Sequence, residues 1–292
     1  MDSPFENIQN DDPADGMSFR VQLLGDTKRG FAKVRKAFVQ RTDEDGSRAS
    51  MLSALVKGKK ERAFDALMLL LALEPILGGT PLPLRTWAKM IGSERRPCSP
   101  QSASLAFDTL VYYNLVTRTN KGRTVIVAPS LEDGSGAEWD NPGSNPATIG
   151  KGYLTIPHAY WTTGLVDRLT FPGKALFLIM LSETTKDQSF AMAAERAPNW
   201  YGISVRTAER GYKELRGQET PEGVPLLLEH PQYKRDPRSP TGYRTVFHRA
   251  LSAPYSQAAR ADLQLTTRNA VRQIAAKQNA AEAETNEAAK SV

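Results

Sequence analysis

The chain has 292 residues, of which 40% are hydrophobic, and a formal net charge of +6. This composition excludes a wholly disordered chain, and the longest apolar run, 66–73, is far shorter than the ~20 residues that a membrane-spanning helix needs. The single cysteine, Cys98, excludes an internal disulfide and a zinc site built from cysteines. Because the first residues are acidic where a signal peptide is basic, we expect a cytoplasmic protein with no membrane partner.

The positive charge is unevenly distributed along the chain. Residues 1–19 carry five acidic and no basic side chains, and residues 129–150 carry four acidic and no basic side chains. Without these two segments the net charge rises to +15, and 20–62 alone holds 12 basic and five acidic residues. A positive field of this kind favours a polyanionic partner. Many proteins have a high pI for other reasons, so composition alone favours nucleic acid only modestly.

The N-terminal part of the chain predicts a disordered acidic segment followed by a basic helix. In 28–41 (KRGFAKVRKAFVQR), Phe31, Val34 and Phe38 recur three and four residues apart among basic side chains. This spacing predicts a basic amphipathic helix. Packing on the following domain is its favoured role, ahead of a position along DNA or on a membrane surface.

The first half of the chain then carries a series of helix and hairpin signals. In order these are a buried helix at 59–74, an extended piece at 80–83, helices at 84–91 and 99–114, and a β-hairpin of 115–119 and 124–128. Pro75 and the pair Gly78-Gly79 are expected to end the first of these helices, and Ser99 followed by Pro100 is a helix N-cap signal. A polar, basic turn separates the two hairpin strands.

The second half repeats this order. Its predicted elements are an apolar helix at 172–183, a possible strand at 187–190, helices at 191–199 and 204–216, and hairpin strands at 226–230 and 243–251 around a long basic tip. The third helices of the two halves share an N-cap and an apolar stripe at the same spacing, namely Ser99, Ala103, Phe107 and Leu110 against Ser204, Ala208, Tyr212 and Leu215.

The chain divides at its Pro- and Gly-rich stretch. We predict an acidic disordered N-terminus at 1–19, a first domain at 20–128, a linker at 129–150, a second domain at 151–255, and an Ala-rich helical or disordered tail at 256–292. The tail has good helix formers but few apolar residues, so it is expected to form a marginal helix.

This repeated order of elements resembles the winged helix-turn-helix family over about 55–129 and 171–254. Within it, AAERAPNWYGISVRTAERGYKELR, 193–216, looks like a helix-turn-helix with Gly202 in the turn and Ser204 at the start of the recognition helix. The resemblance implies an α+β, mostly α, fold of two winged-helix domains, each with three helices and a β-hairpin, joined by the acidic linker. It also implies that the third helix enters the DNA major groove and that the hairpin, or wing, contacts phosphates.

Tandem winged helices are also similar in layout to the iteron-binding plasmid replication initiators. In that group one domain mainly dimerises and the other grips DNA. The resemblance therefore implies double-stranded DNA as a partner and a homodimer.

The second recognition helix carries a cationic face. Arg206, Arg210 and Lys213 lie opposite its apolar stripe, and Thr207 lies to one side. Arginine can bind guanine with two hydrogen bonds, whereas lysine mainly supplies charge to phosphates. Ser204 would leave the helix N-terminus free to face a phosphate. The alternative is a solvated helix face whose arginines pair with glutamates one turn away.

The second wing is the other candidate DNA contact. Its basic residues are Lys234, Arg235, Arg238 and Arg244. Positive side chains on a mobile loop suit the sugar-phosphate backbone or a minor groove. The alternative is a solubilising tip that only keeps the sheet edge from pairing.

The first recognition helix departs from this pattern. Gln101, Leu105 and Asp108 stand at the positions of Arg206, Arg210 and Lys213, so the cationic stripe is lost. Leu105 and the nearby Tyr112 instead indicate a protein contact, either in a dimer or between domains. An isolated surface leucine is the alternative. The remaining candidates for DNA contacts in this half are Arg95, Arg96, Gln101, Lys121 and Arg123.

Signals for an enzyme are few. The chain has no P-loop, no GxSxG and no HExxH motif, and no motif for a cofactor, metal or small-molecule ligand is evident. Cys98 follows two arginines that could lower its pKa, but a lone cysteine is more often incidental. We therefore predict a sequence-specific double-stranded DNA-binding protein that regulates transcription. A plasmid-type replication or partition protein is the alternative, and an RNA-associated protein or protein scaffold is the alternative of another class.

Overall fold

The structure is a computed structural model that describes residues 16–41, 48–122, 124–143 and 152–290. Most of the acidic N-terminus, Arg123 and 144–150 of the predicted linker lie outside these residues. The helices are α1 (Gly16–Asp26), α2 (Lys36–Val39), α3 (Met51–Lys57), α4 (Glu61–Leu77), α5 (Leu84–Ile91), α6 (Pro100–Tyr112), α7 (Ala159–Thr162), α8 (Leu165–Arg168), α9 (Phe171–Glu183), α10 (Ala197–Tyr201), α11 (Val205–Arg216) and α12 (Gln257–Lys290). The strands are β1 (Phe31–Arg35), β2 (Leu82–Pro83), β3 (Val116–Lys121), β4 (Thr124–Pro129), β5 (Tyr153–Pro157), β6 (Leu227–Arg235) and β7 (Tyr243–Leu251).

In the described residues, the strands form three small antiparallel sheets among these helices. Their strand orders are β1-β5, β2-β4-β3 and β6-β7. The prediction of an α+β fold is confirmed. Within the described ranges, no helix is long and apolar enough to cross a membrane.

The two predicted repeats have the same order of elements in the structure. In the first, α4, α5 and α6 are followed by the hairpin β3-β4, and in the second, α9, α10 and α11 are followed by the hairpin β6-β7. In both, the short extended piece after the first helix pairs with the returning strand of the hairpin. Leu82 in β2 is opposite Val125 in β4, and Phe190 bridges to Arg249 in β7.

The predicted basic helix around Phe31 is wrong, because this segment is strand β1 followed by the short helix α2. Lys28 and Gly30 both adopt a positive φ, which breaks a right-handed helix before the segment starts. Strand β1 pairs with β5, with Phe31 opposite Pro157 and Arg35 opposite Tyr153. It is buried on both faces, so its apolar residues do not alternate. The segment packs against α4, and its partner strand β5 lies in the predicted second domain.

The described part of the predicted linker is bound to β1. Arg35, which is buried, donates hydrogen bonds to the Glu132 carboxylate at 2.7 Å and to the Asp140 backbone carbonyl at 2.7 Å, and it also pairs with the Asp140 carboxylate. Trp139 packs partly buried against the core. Two of the acidic side chains in this stretch therefore neutralise a buried arginine.

Helix α4 continues past Pro75, which was expected to end it. Gly78 ends the helix in a left-handed conformation, three residues later. A proline has no N–H for the carbonyl four residues earlier, which here belongs to Leu71. The Arg29 guanidinium reaches that carbonyl at 3.4 Å. A side chain from outside the helix thus partly replaces the missing hydrogen bond.

A buried ion cluster joins the first helices of the two repeats. Lys174 of α9 is fully buried, and its Nζ donates to both oxygens of the Asp65 carboxylate in α4 at 2.6 Å. Glu61 lies 3.1 Å from the same Nζ, and Arg96 pairs with Glu61 at 2.5 Å. Burial raises the pKa of Asp65, while Lys174 and Arg96 oppose that rise. We name these four residues the buried ion cluster.

Helix α12 packs its first turns against the second repeat. Arg260 is buried, and its guanidinium donates to the carbonyls of Leu181 at 3.0 Å and Thr184 at 2.7 Å. Burial lowers the pKa of Arg260 to about 10. Further along the helix, Val271 and Ile274 are exposed. Of the two predicted alternatives for the tail, a helix or a disordered segment, the structure has the helix.

Candidate nucleic-acid interface

Helix α11 begins at the predicted cap. Ser204 Oγ accepts the N–H of Thr207 at 3.1 Å, and the two hydroxyl oxygens are 2.8 Å apart. Gly202, at the end of α10, adopts φ +67°, which turns the chain sharply into the cap. Because both hydroxyls are engaged in the cap, Ser204 and Thr207 fix where the helix starts, and only the remaining backbone N–H groups of the first turn point outward.

The inner face of α11 is fixed by close packing and by one hydrogen bond. Ala208, Tyr212 and Leu215 are buried, as the apolar stripe predicted. A Cβ atom on Gly211 would lie 2.7 Å from the Pro172 carbonyl oxygen, so only glycine lets α11 approach α9 this closely. The Tyr212 hydroxyl donates to the Met192 carbonyl at 3.2 Å. These contacts set the rotation of α11 about its axis.

The outer face of α11 is cationic and exposed. The side chains of Arg206, Arg210 and Lys213 are exposed, and among the described residues none of them makes an ion pair. Glu214, a possible partner for Arg210, turns inward instead and accepts the N–H of Thr170 at 3.0 Å at the start of α9. The three positive charges are therefore available to an external anion.

An ion-paired base connects α11 to the second wing. The Glu229 carboxylate of β6 accepts from Arg216 of α11 at 2.7 Å and from Arg249 of β7 at 2.6 Å. Burial alone would raise the pKa of Glu229, but these two hydrogen bonds outweigh it and hold the pKa below its usual value. The Arg249 guanidinium also lies over the Tyr212 ring, 3.9 Å from its centroid. Helix α11 and the hairpin β6-β7 are thus joined by these contacts.

The second wing is longer than the sequence predicted. Strands β6 and β7 pair up to Arg235 opposite Tyr243, so Lys234 and Arg235 lie on a paired strand and not on a mobile loop. Lys234, Arg235, Arg238 and Arg244 are all exposed. In the turn, the Asp236 carboxylate accepts the backbone N–H of Arg238 at 3.0 Å.

The first repeat presents a different surface. Leu105 and Tyr112, seven residues apart on one face of α6, are 60% and 80% exposed. Asp108, at the position of Lys213, pairs with Arg118 of β3 at 2.6 Å. Ser99 caps α6 through the N–H of Ser102 at 3.1 Å, as Ser204 caps α11. This helix therefore has the geometry of α11 without its positive charge.

The two arginines before α6 have different surroundings. Arg96 belongs to the buried ion cluster, where it pairs with Glu61, and its assignment as a DNA contact stays a prediction. Arg95 is exposed and lines a cleft together with Cys98 and Arg168. Gln101 on α6 and Lys121 at the tip of the first wing are exposed, and Arg123 lies outside the described residues.

A second basic surface was missed in the sequence as a separate feature. Four exposed cations surround the start of α4, namely Lys57, Lys59, Lys60 and Arg62. They form a run in the sequence, KGKKER at 57–62, within the basic segment 20–62. A cleft of about 330 Å³ lies between this run and α6, with Ser102 and Thr109 in its wall. At the matching position of the second repeat, the carboxylate of Glu214 occupies the start of α9.

Catalytic features are sparse in the described residues. The described residues contain no group of three or more His, Cys, Asp or Glu side chains that could bind a metal ion. Burial raises the pKa of the Cys98 thiol, in contrast to the lowered pKa considered from the sequence.

A scan against protein-family models and searches of curated proteins and of solved structures find no match to this chain.

Proposed function

We propose that the protein binds double-stranded DNA at specific sequences and acts as a transcriptional regulator. In this proposal the chain contains two winged-helix units, α11 enters the major groove, and the hairpin β6-β7 contacts the backbone. The observation that carries the proposal is the exposed face of Arg206, Arg210 and Lys213, which no ion pair within the described residues neutralises. The exposed cations of the adjoining wing support it, because phosphate contacts supply most of the affinity of DNA-binding proteins.

The first repeat has a supporting part in this proposal. Its α6 lacks the cationic stripe, so we assign it to contacts with a second copy of the chain through Leu105 and Tyr112. The basic run at 57–62 lies beside α6, and we assign it to contacts with phosphates. A tandem arrangement with one gripping unit also fits a replication or partition protein, and the two readings differ in the symmetry of the DNA site.

The direct test is selection of bound duplexes from a random double-stranded DNA library by the full-length protein. The enriched duplex is then titrated at several salt concentrations. We expect an enriched motif and a steep fall of affinity with salt. A palindromic motif indicates a symmetric dimer, and directly repeated motifs favour the replication or partition reading. Salt-dependent binding without a motif would contradict sequence recognition. The absence of any binding would contradict a DNA-binding function and favour the alternative of a protein scaffold.

Lys234→Ala should weaken binding to every duplex alike. The side chain is exposed on β6 and is assigned to a phosphate, so its loss should lower the slope of log affinity against log salt by about one unit. The measurement is fluorescence anisotropy on the selected duplex and on a scrambled duplex. Lys186→Ala removes an exposed lysine outside the wing and serves as the charge-matched control. An equal effect of both variants would argue for net charge and against a wing contact.

Leu105→Glu should abolish self-association if α6 is the contact between copies. Placing a charge in an apolar interface leaves it desolvated and unpaired, which opposes association. Sedimentation velocity measures the outcome, with Val224→Glu as a control at another exposed apolar position. An unchanged sedimentation coefficient and DNA affinity would remove α6 from the proposal.

A further inference from the structure

The second wing carries an exposed aromatic row on one face. Side chains two residues apart on a strand point to the same face. Leu227 and Leu251, opposite each other and buried, mark the inner face at the base of the hairpin. Farther along the hairpin, the same face carries Phe247, Tyr233 and Tyr243, which are 43%, 71% and 49% exposed. The row extends beyond the part of the hairpin that the protein body covers.

Cations are interleaved with this row. Arg235 lies on the same face, directly opposite Tyr243. Lys234 and its cross-strand partner Arg244 lie on the other face of the hairpin. Asp236 is the single acidic residue in 231–247. The outer part of the hairpin is therefore an aromatic face with net positive charge.

Contact with a duplex backbone explains the cations but not the rings. In a duplex the bases are stacked on each other, so their faces are not available to a side chain outside the helix. Unpaired bases do expose their faces, and each base stacked on an aromatic side chain contributes about 1–3 kcal/mol to binding. Cations beside the rings attract the phosphates of the same strand. Rings and cations together match single-stranded nucleic acid.

We propose that the inner face of the second wing binds single-stranded DNA. Bases stack on Tyr233, Tyr243 and Phe247, and Arg235 attracts the phosphates between them. The mode has no base-specific hydrogen bonds, so it tolerates any sequence. This activity goes beyond the proposed function, because it requires neither the outer face of α11 nor a paired DNA site.

The test uses the full-length protein, a labelled oligothymidine of about 16 nucleotides, and a random duplex of the same length. Tyr233→Ala should weaken binding to oligothymidine by about 5- to 150-fold, the equivalent of one lost stacking contact, with less than about a twofold change on the duplex. Tyr233→Phe keeps the ring and should bind oligothymidine as the unmodified protein does. Thr245→Ala, directly opposite Tyr233 on the same face, is the matched control without a ring.

Three results would overturn the proposal. One is the absence of oligothymidine binding by the unmodified protein at low salt, and another is an equal loss on duplex and single strand in Tyr233→Ala. The third is a change of self-association in that variant with unaltered DNA binding, which would assign the row to a second copy. If duplex selection finds no motif while single-strand binding depends on Tyr233, sequence-specific recognition fails and this proposal stands.

Discussion

Lys174→Met is expected to lower the free energy of unfolding by about 3–5 kcal/mol, the usual cost of removing one partner from a buried ion pair. The Lys174 side chain is fully buried, and methionine replaces its volume but not its charge. Asp65 then loses its nearest counter-charge, with Arg96 3.4 Å away. Urea denaturation followed by circular dichroism measures the change, and Lys89→Met, at an exposed position of α5, is the control.

The effect of Lys174→Met should also depend on pH. Burial raises the pKa of Asp65 in the folded state, and removing Lys174 removes the main opposing charge. In the variant, the folded state then keeps a proton on this carboxyl up to a higher pH than the unfolded state does. The stability deficit should therefore be smallest near pH 4 and grow as the pH rises towards 8.

A second variant, Lys174→Met with Asp65→Leu, removes both charges and should recover most of the lost stability. Failure to recover it would indicate that the single variant loses stability through lost packing.

Arg210→Ala is expected to weaken binding to the selected duplex by about 1–3 kcal/mol, or about 5- to 150-fold, and to relax the preference at one base pair. Arg210 lies at the centre of the exposed face of α11, where two hydrogen bonds to a guanine are geometrically possible. The measurement is affinity for the selected duplex and for duplexes that carry each alternative base pair at every position of the motif.

Lys213→Ala provides the comparison on the same helix face. Its ammonium group is assigned to a phosphate, so it should weaken specific and random duplexes by similar factors. If Arg210→Ala also weakened both kinds of duplex equally, Arg210 would be a phosphate contact and its base-reading role would be rejected.

Features that depend on a few neighbouring residues could be predicted from the sequence. The caps at Ser99 and Ser204 and the buried stripes of α6 and α11 follow from spacing within a single helix. The outward direction of Arg206 and Arg210 follows from the same geometry. For this reason the candidate recognition face was predicted residue by residue.

Features that depend on distant partners could not be predicted in the same way. The spacing of Phe31, Val34 and Phe38 fits a helix, and the pairing of β1 with β5 is specified by residues far along the chain. The ion partners of Arg96 lie in another helix, so these ion pairs could not be predicted from the sequence. Pro231 lies within β6, beyond the predicted end of that strand at 230; a two-stranded sheet has only edge strands, and these tolerate proline.

The pairing of β1 with β5 has a consequence for synthesis on the ribosome. Arg35 is followed by 117 residues before Tyr153, its partner in β5, enters the chain. At about 5–20 residues per second, this interval lasts roughly 6–23 s. During that time Phe31, Ala32 and Val34, which end up buried, have no strand to pair with. Completion of the first half of the protein must therefore wait for translation to proceed well into the second.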